Sequence, residues 1–540
     1  MGKAKCIMVQ GTMSGAGKSL LCAALCRIFK QDGYKVAPFK SQNMALNSYV
    51  TRNGMEMGRA QVMQAEAAGI EPDVRMNPVL LKPSSDIGSQ VIVLGEVRGQ
   101  MTATEYYEYK NSLMPEVMKA YNELAEENDI IVIEGAGSPA EINLRENDIV
   151  NMGMAEAAGA PVLLAGDIDR GGVFAQLYGT VKLLTDDEQK RIAGLIVNKF
   201  RGDIDILAPG LKMVEEKTGI PVLGVVPYIR VDIDDEDSLA PRLNAKSEVK
   251  PLDIAIIRIP RMSNFTDFAP LEAHEVIGAR YVQSAEELHN PDMVIIPGTK
   301  STMDDLLWMR QNGIESAIQK LASSGTPVLG VCGGYQMMGE KLSDPYHIEG
   351  DLEEMHGMGL LPTETTFTNL KTRTRFTADV KAKDFEGAKL DGYEIHMGES
   401  IVKGDPFLTL ENGKDDGCAC GTNFGTYLHG LFDTGELTEK LVKYLCDRKG
   451  IEYSEAAPIS HSTYVEKQYD ILADGVRAAM DFDKIYKKRK TKAEYNDNPC
   501  PKALSHMLKN KTENAIFMSN DIEHIEIPDY IKEAIAWITE

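Results

Sequence analysis

Short apolar runs alternate with longer amphipathic stretches along most of the chain. Cys6–Val9, Val36–Phe39, Ile130–Ile133, Ala160–Ala165 and Ile192–Val197 are rich in β-branched and apolar residues. Helical spacing follows several of them, as in Leu20–Phe29. Strands without a polar face, alternating with helices, predict an α/β fold with a parallel sheet covered on both sides. The rhythm stops at the acidic, proline-containing stretch from Asp232 to Pro251 and restarts with Leu252–Ile257, Met293–Ile296 and Val328–Leu329. Two α/β domains are therefore expected, over residues 1–230 and 251–488, joined by an acidic linker at 231–250. Residues 489–540 form a tail that opens with basic residues and ends in an amphipathic stretch, Tyr530 to Ile538.

The length of 540 residues agrees with more than one hydrophobic core. A net charge of −23 argues against nucleic acid or an anionic membrane surface as partner. No apolar run is long enough for a membrane span, and Met1-Gly2-Lys3 leads straight into a strand rather than a signal segment. A cytoplasmic enzyme of small-molecule substrates is expected, with a homo-oligomer left open. The eight cysteines follow no disulfide or zinc spacing, and Cys418-Ala419-Cys420 lacks a second pair.

Chemistry enters at Gly11-Thr12-Met13-Ser14-Gly15-Ala16-Gly17-Lys18-Ser19, between the first strand and the first helix. Glycines there let backbone N–H groups face phosphates, a lysine reaches the terminal phosphates, and the serine hydroxyl can ligate Mg²⁺. Gly11, Thr12, Gly15, Gly17, Lys18 and Ser19 are the ATP-binding candidates, although Gly11 stands one residue earlier than the strict motif requires. Lys40 ends the second strand, where it could meet phosphate or a substrate carboxylate. Glu134 ends the Ile130–Ile133 strand at the sheet edge where such ligands bind, so Ser19 and Glu134 are the metal candidates.

A second centre is Gly330-Val331-Cys332-Gly333-Gly334-Tyr335-Gln336. Glycines two residues before and after the cysteine, at a strand-to-helix corner, give a nucleophile elbow with Cys in place of Ser. A lone cysteine in a glycine-rich turn is ordinarily a core residue. Two features alter that reading. His429, in Thr426-Tyr427-Leu428-His429-Gly430, supplies a base at a distance typical of fold-adjacent pairs. The turn Pro297-Gly298-Thr299 after another strand offers Gly298 as an oxyanion donor beside Gly333.

The loop at Gly11–Ser19 resembles that of dethiobiotin-synthetase-like ligases. The elbow, Pro-Gly loop and distant histidine resemble class I glutamine amidotransferases, which implies a flavodoxin-like second domain. In that class a glutamate usually stands two residues after the histidine, and here the position is Leu431. This departure is similar to the cobyric/cobyrinic subgroup and leaves Asp433 as the sequence's candidate to orient His429. Further stretches extend the likeness over residues 4–488, among them Ser41-Gln42-Asn43-Met44, Gly58-Arg59-Ala60-Gln61, Met76 to Pro83 and Gly392 to Gly398. The chain is identified as a member of the cobyric acid synthase family of the cobalamin pathway.

That resemblance implies glutamine hydrolysis through Cys332 and His429. It implies MgATP activation of corrinoid carboxylates in the first domain and amidation of four of them (b, d, e and g) on adenosylcobyrinic a,c-diamide. It also makes Asn198 a reader of the nucleotide base. Lys40, Lys82 and Arg170 are basic residues that could receive so anionic a substrate. The nearest alternative is cobyrinic acid a,c-diamide synthase, with the same domains and other carboxylates. A partitioning-type ATPase would share the loop and have no use for Cys332 and His429.

Overall fold

Six strands build the first sheet: β1 (Lys5–Gly11), β2 (Val36–Phe39), β3 (Ile130–Glu134), β4 (Val162–Asp167), β5 (Ile192–Phe200) and β6 (Val222–Pro227). Their order is β6-β5-β4-β1-β3-β2 and every pairing is parallel. The central strands are buried along nearly their whole length, which is why they read as continuous apolar runs. The computed structural model describes residues 4–83, 88–233, 249–349, 352–454 and 457–488. The opening Met1-Gly2-Lys3, most of the 231–250 linker and the 489–540 tail lie outside the described residues.

Helix α1 (Lys18–Gln31) leaves the loop that follows β1 and packs ten buried residues, Leu21 to Phe29 among them, into the core. Between β2 and β3 the chain inserts a smaller layer. Gln42–Met44, Val79–Pro83, Gly88–Val93 and Glu96–Thr102 form a four-stranded sheet. Ser48–Val50 pairs with Glu56–Gly58 as a hairpin that runs into α2 (Arg59–Ala68). The insertion carries the family-like stretches Ser41 to Met44, Gly58 to Gln61 and Met76 to Pro83, whose pattern does not announce its sheet.

A second sheet pairs β7 (Leu252–Ile257), β8 (Ile277–Val282), β9 (Met293–Ile296), β10 (Val328–Val331) and β13 (Asn423–Thr426) in parallel, in the order β8-β7-β9-β10-β13, with Cys418–Cys420 antiparallel at its edge. Between β10 and β13 lie α3 (Gly333–Met338) and the long antiparallel pair β11 (Thr363–Val380) and β12 (Lys389–Val402). A two-residue strand, β14 (Leu428–His429), closes onto β12 with His429 opposite Tyr393.

Helix α4 (His461–Ala479) departs from the expected domain plan. Assigned by chain order to the second domain, it packs on α1 of the first. Val465, Tyr469, Leu472, Ala473 and Val476 recur at helical spacing and join the α1 core together with Met480. Ion pairs from Arg27 to Glu466 and Asp470, both at 2.8 Å, flank that seam. An amphipathic helix announces that one face will be buried, but its sequence does not say against which partner.

Candidate active sites

The phosphate loop takes its shape from the elements around it. Gly17 caps α1 in the left-handed region at φ 87°, where a side chain is strained. A Cβ there would also overlap the Asn198 amide. Lys18 folds back over the loop, its Nζ donating to the carbonyls of Met13 at 3.2 Å and Gly137 at 3.1 Å. Thr12 N donates to Ala165 O at 2.9 Å, stitching the loop to β4.

Glu134 is the hub of this site. Its buried carboxylate accepts from Ser19 Oγ at 2.9 Å, Lys40 Nζ at 2.9 Å and Gln64 Nε2 at 2.5 Å. Four predicted positions, Lys18, Ser19, Lys40 and Glu134, thus converge at the C-terminal ends of β1, β2 and β3. Asn198 reaches the loop backbone itself, Nδ2 donating to Ala16 O at 2.9 Å. Its neighbour Lys199 donates to Gly15 O at 2.6 Å and pairs with Asp167 at 2.9 Å. Sequence reading assigned no role to Gln64, Asp167 or Lys199. Gln64 and Lys199 contact the loop from a helix and a strand end, and Asp167 holds Lys199, so tertiary placement alone reveals them.

Of the three basic candidates for substrate, the structure brings two to this loop. Lys40 is paired with Glu134, and Arg170 lies beside Gly15. Lys82 is elsewhere. Its Nζ donates to Glu56 Oε1 and Ser48 Oγ, both at 2.9 Å, at the border with the second sheet.

The second site is built on the elbow between β10 and α3. Cys332 adopts φ 51° and ψ −109°, a conformation rarely populated by a side-chain-bearing residue and held by its surroundings. Its N–H donates to Thr426 O at 2.8 Å, and Gln336 N donates back to its carbonyl at 3.1 Å. Gly298 lies directly in front. A Cβ there would sit 3.3 Å from His429 Cε1 and 3.6 Å from Cys332 Cβ, so the thiol and imidazole face the same bare glycine. Gly333, on the other side of the cysteine, is pressed against Thr299, leaving no space for a side chain.

His429 is oriented by a residue the sequence did not nominate. Asp267 Oδ2 lies 2.6 Å from His429 Nδ1, and Asp267 Oδ1 accepts from Gly430 N at 3.2 Å. Asp267 takes the position offered to Asp433. It stands on the short 3₁₀ turn Phe265–Phe268 that follows β7, far from His429 in sequence. Tyr393 stacks on the imidazole at 5.3 Å between ring centroids. Burial opposes a charge on His429, yet the Asp267 carboxylate and the Cys332 sulfur outweigh it and hold the imidazolium up to about 10.

The two halves meet at this pocket. Asn264 Nδ2 donates to Ser48 O at 3.0 Å and to Tyr393 Oη at 2.8 Å, and Tyr393 Oη donates to Ser48 O at 3.1 Å. Glu56, fully buried, accepts from Lys82 of its own half and pairs with Lys371 of β11 at 2.5 Å.

A nucleotide-type loop and a buried cysteine–histidine–aspartate pocket within one unit define a glutamine-dependent amidating ligase. Residues 7–238 match the CobQ/CobB/MinD/ParA nucleotide binding domain, and residues 253–437 match the CobB/CobQ-like glutamine amidotransferase domain. The chain is 56% identical over 498 residues to the cobyric acid synthase of Ruminiclostridium cellulolyticum, covering 90% of this chain and 97% of that one. With the cobyric acid synthase of Lachnoclostridium phytofermentans the identity is 54%, covering 89% of this chain and 98% of the relative. The chain belongs to the cobyric acid synthase family. The solved structure of PurLQS from Thermotoga maritima overlaps with a TM-score of 0.30 at 19% identity, over 37% of this chain and 100% of that chain. Among the described residues no helix is long and apolar enough to cross a membrane, and no group of three His, Cys, Asp or Glu is arranged to hold a metal ion.

Proposed function

We propose that the protein converts adenosylcobyrinic a,c-diamide to adenosylcobyric acid in the cytoplasm, amidating the b, d, e and g carboxylates with ammonia from glutamine. The observation that carries this reading is the near full-length identity to cobyric acid synthases. In the second half, the Cys332 thiolate attacks the γ-amide carbon of glutamine. Asp267 accepts a hydrogen bond from His429 Nδ1–H, which fixes the tautomer and leaves the opposite nitrogen to deliver a proton to departing ammonia. Backbone N–H groups around Gly298 and Gly333 flank the position where the oxyanion forms. Water then releases glutamate from the thioester.

In the first half, the loop N–H groups and Lys18 hold the ATP phosphates while a corrinoid carboxylate oxygen takes the γ-phosphoryl group. Hydroxide is a poor leaving group from a carboxylate, and the acyl phosphate supplies a good one. Ammonia attacks the acyl carbon, and inorganic phosphate departs. Asn198, beside the loop, is the proposed contact to the base. The adjacent oxygens of Ser19 and Glu134, 2.9 Å apart, fit a hard divalent cation that takes one or two protein ligands and completes its shell with phosphate and water. Mg²⁺ held there would neutralise charge on the transferring phosphoryl group.

Mass analysis of the corrinoid after incubation with MgATP and glutamine tests the assignment. Four hydroxyl-to-amide exchanges are expected on the a,c-diamide. Amidation of cobyrinic acid at a and c alone would instead identify the diamide synthase.

A further inference from the structure

The pocket in front of Cys332 carries more charge than amide hydrolysis needs. Its lining includes Lys300, Thr302, Gln336 and Glu349 beside Cys332 and His429. Lys300 follows Thr299 on the turn after β9, next to the glycine that faces the nucleophile. Glu349 approaches from the segment after α3, its Oε2 accepting from Thr302 N. Gln336, which might otherwise reach an incoming polar group, is occupied: its Nε2 donates to Met397 O at 3.0 Å and its Oε1 accepts from Thr302 Oγ1 at 3.0 Å.

Lys300 has no such commitment. Among the described residues its ammonium makes no side-chain hydrogen bond and no ion pair, although Glu349, Lys82, Glu56 and Cys332 all lie within electrostatic reach. The other two lysines of the lining, Lys82 and Lys371, are spent on Glu56. Burial lowers the Lys300 pKa and pushes the Glu349 carboxyl up to about 6, so both groups gain from an opposite charge placed against them. Free glutamine brings those charges. It carries an ammonium and a carboxylate on its α-carbon, at the end remote from the γ-amide.

We infer that Lys300 and Glu349 read the α-amino-acid end of glutamine, Lys300 receiving the α-carboxylate and Glu349 the α-ammonium. The assignment rests on the glutaminase reading of Cys332 and His429. It makes this pair the specificity-determining element of the ammonia-producing half. A glutamine residue within a peptide, with both α-charges removed, is rejected because it leaves Lys300 and Glu349 buried with only distant charges to offset their burial.

The test uses the full-length protein and three amides: glutamine, glutaramate, which lacks the α-ammonium, and 4-aminobutanamide, which lacks the α-carboxylate. Ammonia release by wild type should favour glutamine over each analogue, each lost contact costing about 10- to 100-fold in kcat/KM. In Glu349→Gln, kcat/KM for glutamine should fall by that factor, mainly through KM, while glutaramate is unaffected and the preference between them collapses. Lys300→Met should do the same for glutamine against 4-aminobutanamide. Amidation driven by ammonium chloride should be unchanged in both variants, which reports on folding. If either replacement also impairs that reaction, Glu349→Asp and Lys300→Arg decide instead, and part of the preference should survive in each. Variants that keep the wild-type preference overturn the assignment alone. A wild type that releases no ammonia from glutamine overturns the glutaminase reading and this assignment with it.

Discussion

Asp267 Oδ2 lies 2.6 Å from Nδ1 of His429, a histidine only 1% exposed. Burial by itself would strip the proton from that imidazole, and the aspartate with the cysteine sulfur instead holds it up to about 10. The folded-state value is raised above the ordinary 6.5, so the imidazolium persists through neutral pH and is lost only as pH rises through about 10. Glutaminase activity should therefore keep its proton donor until strongly alkaline pH. Asp267→Asn should bring the alkaline limb to lower pH and reduce kcat/KM by about 10²- to 10⁴-fold, the usual worth of a positioned acid–base group. A pH–rate profile of ammonia release checks this; an unshifted limb would remove Asp267 from the machinery.

Gly298 offers a steric test. A methyl group there lands 3.3 Å from both His429 Cε1 and Ser263 Oγ, in the space between nucleophile and imidazole. Gly298→Ala should cost about 10²- to 10³-fold in glutaminase kcat, comparable to loss of an oxyanion donor. Amide formation from added ammonia, measured on the same preparation, should be spared.

The phosphate loop separates in the opposite sense. Lys18 Nζ donates to the carbonyls of Met13 and Gly137 and lies outside the Cys332 pocket. Lys18→Ala should abolish ATP-dependent corrinoid amidation while ammonia release from glutamine continues. Intact amidation by this variant would place the ATP site elsewhere.

Lys371 tests the join between the halves. Burial works against the Glu56 carboxylate, but the ammonium groups of Lys371 and Lys82 hold its pKa well below the usual range. Lys371→Met leaves that fully buried carboxylate with Lys82 as its remaining ion-pair partner, and removing one partner of a buried ion pair costs about 3–5 kcal/mol. The depressed pKa means that the stabilisation is present above the ordinary carboxylate value of 4.5 and is lost as pH falls toward the folded-state value. Denaturant unfolding at neutral and acidic pH should show a deficit for the variant that narrows in acid.

The parts of these sites readable from sequence were those specified by neighbours along the chain. Gly11 to Ser19 needs only a strand, a loop and a helix in succession, and Cys332 needs glycines two residues away on each side. Glu134 was legible because it ends an apolar strand. Asp267 was not, since nothing in Phe265-Thr266-Asp267-Phe268 distinguishes it from a surface acid until β7 is laid beside β9 in the sheet and the turn is brought to His429. Lys82 read as a cation for substrate, yet its partner Glu56 lies in a hairpin whose pairing with Ser48–Val50 gave no clear alternation. The α/β class followed from periodicity, whereas the partner chosen by α4 depended on the surface left open beside α1.

That choice by α4 has a topological consequence. The second sheet is threaded into the chain between β6 and a helix that belongs to the first sheet's core, so it is moored at both of its ends. The nucleotide half is consequently discontinuous in sequence, closed by Arg27 gripping Asp470 and by Arg477 reaching Asp32. A cut anywhere between β6 and α4 would divide the nucleotide-binding half rather than release the amidotransferase half cleanly. The two halves are thus held in fixed stoichiometry by one polypeptide that folds out of the first sheet and back into it.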